Sequence, residues 1–118
     1  MARQTNPDFV NGVPELLILQ LLARRAMYGY DLVRTIEESS GHVLEFGEGC
    51  IYPVLHRLES DGDLESRRET VGERSRVVYR LTASGRKRLK ARVAAWRSIV
   101  GAVDRVLQGA KHGKPAVS

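Results

Sequence analysis

The sequence predicts a mainly α fold of the α+β class: three helices, a two-stranded hairpin and one long C-terminal helix. Three observations predict it. Apolar residues recur at helical spacing in three separate segments ahead of Asp61-Gly62. Two short runs of alternating character then flank a polar turn that contains Gly72. A final stretch, 83–107, keeps an apolar stripe at helical spacing without a break.

A chain of 118 residues makes one domain the default, and 42% hydrophobic residues supply a small core. Domains of this size bury roughly 60–70% of the surface that the unfolded chain exposes, so association with a second copy adds useful stability. The single cysteine, Cys50, excludes an internal disulfide and fits a reducing compartment. No apolar run follows a basic start, and the longest apolar stretch, 16–23, is interrupted by Gln20. That is far short of the ~20 residues a membrane span needs. The expectation is a soluble cytoplasmic protein with no membrane partner.

Residues 1–11 are polar with Pro7 and read as an N-terminal arm ahead of a domain spanning 12–82. Val13-Pro14-Glu15 opens the first helix, since proline fits the first turn and Glu15 complements the positive dipole end. Leu17, Ile18, Leu21 and Leu22 give this helix a broad buried face. Tyr28-Gly29-Tyr30 breaks the pattern, and a second helix starts at about Asp31 with Leu32, Val33 and Ile36 inward. Ser39-Ser40-Gly41 closes it, and 43–46 reads as a short extended piece.

The third helix covers about 49–61, with Ile51, Leu55 and Leu58 forming a core stripe at i, i+4, i+7. Tyr52, Pro53, His56 and Arg57 fall on its solvent side, and Pro53 is placed in the first turn, where its missing N–H is not needed. Strands follow at 64–69 and 76–81, with Val77, Tyr79 and Leu81 sharing one face. Thr82 stands where a helix N-cap belongs, 83–108 forms the long helix, and 109–118 reads as a flexible tail.

Three helices followed by a hairpin wing make a winged helix-turn-helix, whose third helix enters the DNA major groove. The charge distribution agrees. The formal net charge is +5, yet between residues 67 and 92 ten bases face only two acids, Glu69 and Glu73. That local excess is the footprint of a polyanion, here double-stranded DNA. On the third helix Gly49, Cys50, Tyr52, Pro53, His56 and Arg57 are placed to meet base edges and phosphates. On the wing Arg67, Arg74 and Arg76, and at the start of the last helix Arg86, are placed to supply backbone affinity.

The long helix carries a second signal. Leu89, Val93, Trp96, Val100, Val103 and Leu107 step by 4, 3, 4, 3 and 4, a seam for a partner helix in a homodimer. Ala95, Ile99, Ala102 and Val106 widen this face beyond what a monomer of this size covers, although part of it packs on the same chain's first helix.

Three motifs, Tyr28-Gly29-Tyr30-Asp31-Leu32, the run from Ile51 to Gly62 and the run from Val78 to Arg86, occur in an order and spacing that closely resembles the PadR family of bacterial transcriptional regulators. The resemblance ties together about residues 13–95 and is closest to the smaller subgroup, in which a single C-terminal helix dimerises. It implies a repressor, and a two-fold dimer predicts a pseudo-palindromic operator. In that subgroup some members hold flat hydrophobic molecules at the dimer centre, and the resemblance places Trp96 there, with Val93 and Ile99 beside it, facing a small hydrophobic or aromatic effector. One departure is Asp63, where the family usually carries an apolar residue, so packing at the root of the wing is open.

Other functions fit less well. No Ser/His/Asp set, carboxylate pair or phosphate loop points to an enzyme or a cofactor, and His42, His56 and His112 share no metal-ligand spacing. Two alternatives remain: a winged helix used only for protein–protein contact, and a redox-responsive regulator working through Cys50 at the start of the third helix.

Overall fold

The structure, a computed structural model, describes residues 7–109, with side chains from residue 12 onward. The elements run α1 Pro7–Arg24, β1 Met27–Tyr28, α2 Gly29–Ser39, α3 Glu48–Ser60, β2 Leu64–Val71, β3 Arg74–Leu81 and α4 Ala83–Leu107. The expected architecture of three helices, a hairpin wing and a long last helix is therefore present, with one addition. Met27–Tyr28 pairs antiparallel with β3, so the wing is rooted in a three-stranded sheet of order β1-β3-β2. A two-residue strand carries no alternation of its own, which is why periodicity misses it.

Several boundaries differ from expectation. Helix α1 begins at Pro7, inside the expected 1–11 arm, and Pro14 stands within the helix instead of opening it. Residues 1–6, and 110–118 of the expected tail, lie outside the described residues. Helix α2 starts at Gly29, ahead of Asp31, because β1 ends directly before it. Residues 43–46 form a loop, not an extended strand.

Helix α3 starts at Glu48, so Pro53 is its sixth residue and lies beyond the first turn. Its ring leaves the Gly49 carbonyl without the usual i+4 donor, a loss softened because both residues are exposed to water.

The core forms where α1, α2 and α3 meet the root of the sheet. Ile18, Leu19, Leu32, Ile51, Leu55, Leu58 and Leu64 are fully or almost fully buried, each contributing about 1.5–3 kcal/mol. The α3 stripe of Ile51, Leu55 and Leu58 lies as its spacing predicts. On α1 the buried face is rotated from the expected one: Leu19 is fully buried and Leu17 only half-buried, because Leu17 turns toward α4.

The wing is longer and tighter than its sequence suggests. Register pairing runs from Leu64↔Leu81 to Val71↔Arg74, leaving only Gly72 and Glu73 in the turn. Gly72 takes φ +63, whereas Glu73 is not among the residues with positive φ, the sign pattern of a type II′ turn with glycine at its first central position. Leu64, Tyr79 and Leu81 bury one face at the root, and that face turns polar toward the tip at Arg68 and Ser75. The root is thus fixed by the core while the tip stands in solvent.

Helix α4 is capped as expected: the Thr82 hydroxyl oxygen accepts from the Gly85 N–H at 3.0 Å and its proton goes to the Gly62 carbonyl at 2.8 Å. At 25 residues this helix is about 38 Å long. Only its first half finds cover, against α1. Exposure rises from half-buried Leu89, Val93, Trp96 and Ile99 to 49% at Val103 and 76% at Leu107. Among the described residues no helix is long and apolar enough to cross a membrane.

Candidate nucleic-acid interface

The outward face of α3 is set by the burial of its opposite face. With Ile51, Leu55 and Leu58 pinned inside, Gly49, Cys50, Pro53 and His56 are exposed. Tyr52 departs from the expected solvent position. It is half-buried and its ring lies over the first residue of α2. A Cβ built on Gly29 would stand 2.7 Å from Tyr52 Cε1, so glycine is what lets the ring lie there. Burial, with the nearby Glu48 charge, pushes the Tyr52 phenol pKa up, so it stays a neutral donor. The His56 ring sits next to it, with 6.4 Å between centroids.

Between this face and the wing lies a cleft of about 490 Å³. Tyr52 and His56 of α3 line it, with Tyr28, Tyr30 and Asp31 from the β1–α2 junction, and Arg74 and Arg76 from the wing. The pairing Tyr28↔Val78 puts Tyr28 on the same sheet face as Arg76 and Glu69. There the Tyr28 hydroxyl donates to Glu69 Oε1 at 3.1 Å and the Arg76 guanidinium lies over its ring at 5.1 Å from the centroid. The hydrogen bond to Glu69 is the main reason the Tyr28 pKa is raised. Arg76 is therefore held in place, whereas Arg74 at the tip makes no ion pair with a described residue. Arg67 pairs with Glu69 at 3.5 Å. Arg86 is exposed in the first turn of α4 but does not line the cleft.

Arg57 has a different environment from the other expected DNA contacts. Its terminal nitrogen pairs with Glu15 Oε1 at 3.0 Å, leaving the side chain 47% exposed. Glu15, expected only to favour the start of α1, is 1% exposed and holds two further arginines. Arg88 approaches it through Nε at 2.7 Å and Arg92 through Nε at 2.6 Å. Burial alone would push the Glu15 pKa up; the hydrogen bonds from Arg88, Arg92 and Arg57 override it and bring it to about 2.

The same cluster answers the question left open by Asp63. Gly62, at φ +84, ends α3 in a Schellman turn in which the Asp63 N–H reaches the Leu58 carbonyl at 2.9 Å. Asp63 is thereby turned inward, where it accepts from Ser84 Oγ and from Arg88 at 3.2 Å. An acid replaces the apolar residue here because a guanidinium is waiting for it. Two of the ten bases counted between 67 and 92, Arg88 and Arg92, are accordingly turned into the protein and not toward a ligand. A sequence signal existed: Glu15 lies at i, i+3, i+4, i+7 with Ile18, Leu19 and Leu22, a carboxylate on the core stripe.

A second concavity, about 480 Å³, runs between α1 and α4 and is lined by Leu16, Leu17, Gln20, Val93, Trp96 and Arg97, with Val100 and Gly101 beyond. Of the residues expected around an effector it brings Trp96 and Val93 together; Ile99 is half-buried outside it.

Comparison with known proteins agrees with this geometry. Residues 18–91 match the Transcriptional regulator PadR-like family. A transcriptional regulator of Mycobacterium tuberculosis is 39% identical over 82 residues, covering 70% of this chain and 74% of that protein. Among solved structures, a transcriptional regulator from Clostridium thermocellum superposes with a TM-score of 0.77 at 25% identity, over 86% of this chain and 97% of that one. Bacillus subtilis PadR in complex with operator DNA superposes with a TM-score of 0.62 at 30% identity, over 67% of this chain and 45% of that one. With its winged-helix core matched by the family across most of its length, the chain belongs to the PadR-like family of transcriptional regulators.

Proposed function

We propose that the protein is a cytoplasmic repressor that binds a pseudo-palindromic DNA operator as a homodimer. The observation that carries this reading is the exposed α3 face of Gly49, Cys50, Pro53 and His56 flanking a cleft whose other wall is the arginine-bearing wing. A helix that enters a major groove needs such an uncovered face, and a wing that follows the backbone needs cations free of internal partners, as Arg74 is among the described residues. The likeness to Bacillus subtilis PadR, a protein solved on operator DNA, supports the same placement.

The homodimer reading rests on the bare second half of α4. Val100, Val103 and Leu107 on the heptad seam and Val106 beside it are 37–81% exposed, apolar surface that a second α4 would cover. Two-fold symmetry would set the α3 helices about 34 Å apart, one turn of DNA. Light scattering at micromolar concentration should give twice the 13.2 kDa chain mass, and the monomer mass would refute this part.

The α1–α4 groove supports regulation by a small hydrophobic or aromatic molecule, because Trp96 and Val93 give it an apolar wall that a planar ligand can stack on. Trp96 is the only tryptophan, so its emission reports directly. A panel of planar aromatic compounds is expected to quench or shift it and to change DNA affinity; emission unmoved across the panel would remove the effector from the account.

A further inference from the structure

We infer that Glu15 is a positioning residue for DNA recognition: by holding Arg57 of α3 and Arg88 and Arg92 of α4 on one buried carboxylate, it makes the setting of α3 depend on the setting of α4. The inference rests on the proposed reading that the protein binds DNA as a dimer through α3 and α4.

The geometry is specific. Oε1 accepts from Arg57 at 3.0 Å and from Arg88 at 3.3 Å; Oε2 accepts from Arg88 at 2.7 Å and from Arg92 at 2.6 Å. Oε1 is thus shared between α3 and α4 while Oε2 is held by α4 alone, and Arg88 reaches on to Asp63 at the end of the α3 turn. One carboxylate with 1% exposure therefore ties α1, α3 and α4 together. Charge-assisted, bidentate hydrogen bonds are the directional contacts a protein has for this purpose, whereas apolar packing tolerates small sliding.

The neighbours of the cluster add to the case. Glu15 directly precedes Leu16, and Arg92 directly precedes Val93, both of which line the α1–α4 groove. Anything that shifts α4 against α1 must pull on Arg92 and Arg88, and the same carboxylate passes the displacement to Arg57. Arg57 lies one residue after His56 on the exposed side of α3. In a dimer the consequence is a fixed distance between the two α3 helices, so the cluster should govern tolerance of half-site spacing more than affinity for one half-site.

The test uses the full chain. The wild-type protein selects duplexes from a random-sequence pool, and the best duplex is remade with one base pair inserted or removed between its half-sites. Wild type is expected to discriminate against the altered spacings. In Glu15→Gln, which keeps the shape and loses the charge, that discrimination is expected to fall about 5–10-fold while binding to an isolated half-site changes much less. Should Glu15→Gln fail to fold, Arg92→Lys leaves Arg57 and Arg88 on the carboxylate and is expected to relax spacing in the same direction by a smaller factor. A destabilised but otherwise unaltered dimer would bind every spacing more weakly in proportion, so the spacing ratio separates positioning from mere folding. Variants that keep the wild-type ratio overturn the inference alone. A wild-type protein that enriches no duplex overturns the DNA-binding reading on which it rests.

Discussion

Two sets of arginines in this chain look alike in sequence and behave as opposites. Arg57, Arg88 and Arg92 are turned onto Glu15, a carboxylate that is 1% exposed. Arg74 and Arg76 stand on the wing, in water, on the wall of a cleft. The difference is made by what faces them. An acid on a buried helix face captures every guanidinium within reach, because leaving it unpaired would cost several kcal/mol. An acid in solvent, such as Glu65 against Arg80 at 2.9 Å, holds its partner for about 0–1 kcal/mol and lets it go easily. Net charge therefore overstates what a partner feels, and burial of the acids says by how much.

The largest effect is expected from removing the acid on which the inward set converges. Glu15→Ala should cost on the order of 2–3 kcal/mol at neutral pH, after allowance for solvent around the partly exposed arginines, measured by urea denaturation. Its pKa of about 2 lies below its ordinary 4.5, so the folded state binds the proton less tightly than the unfolded one. The stabilisation is then complete above about pH 4.5 and is lost as pH falls toward 2. The gap in stability between wild type and Glu15→Ala should close over that window. A gap that is independent of pH would mean that packing, not the charge, holds the cluster.

Next in size, Gly29→Ala probes the ring that borders the outward set. Its Cβ would meet Tyr52 Cε1 at 2.7 Å and displace the ring, with a stability loss of about 1–2 kcal/mol and a larger fractional loss of DNA binding. In a Tyr52→Ala background the same change should cost nothing, since alanine suits a helix better than glycine. Equal costs in both backgrounds would dissociate Gly29 from Tyr52.

The smallest effect on folding, and the clearest on DNA, is expected at the wing tip. Arg74→Ala should leave stability within about 0.5 kcal/mol and lower the salt slope of DNA binding by about 1. Arg92→Ala should do the reverse. Interchanged results would dissolve the distinction between the two sets.

How much of this the sequence carried depends on range. The α3 stripe was legible because Ile51, Leu55 and Leu58 report only on their own helix. The alternation Val77, Tyr79, Leu81 was legible for the same reason. The cluster on Glu15 joins residues more than seventy positions apart, so no local pattern separates Arg88 and Arg92 from the surface charge around them. Strand β1 exists only through its pairing with β3, and the Tyr52 ring position depends on the absent side chain of Gly29, two facts that no single window contains. Asp63, the departure from the family pattern, is explained by the Arg88 guanidinium beside it, a partner 25 positions away.

The central claim is that α3 and the wing form a DNA-binding face whose affinity comes from outward cations. It is tested most directly by measuring the dissociation constant on a selected duplex across salt concentration. With six to ten phosphates contacted, affinity should fall on the order of 10³–10⁵-fold between about 50 and 200 mM salt, less steeply once Arg74 and Arg76 are removed. Affinity that is flat across that range, or a slope untouched by their removal, would contradict it.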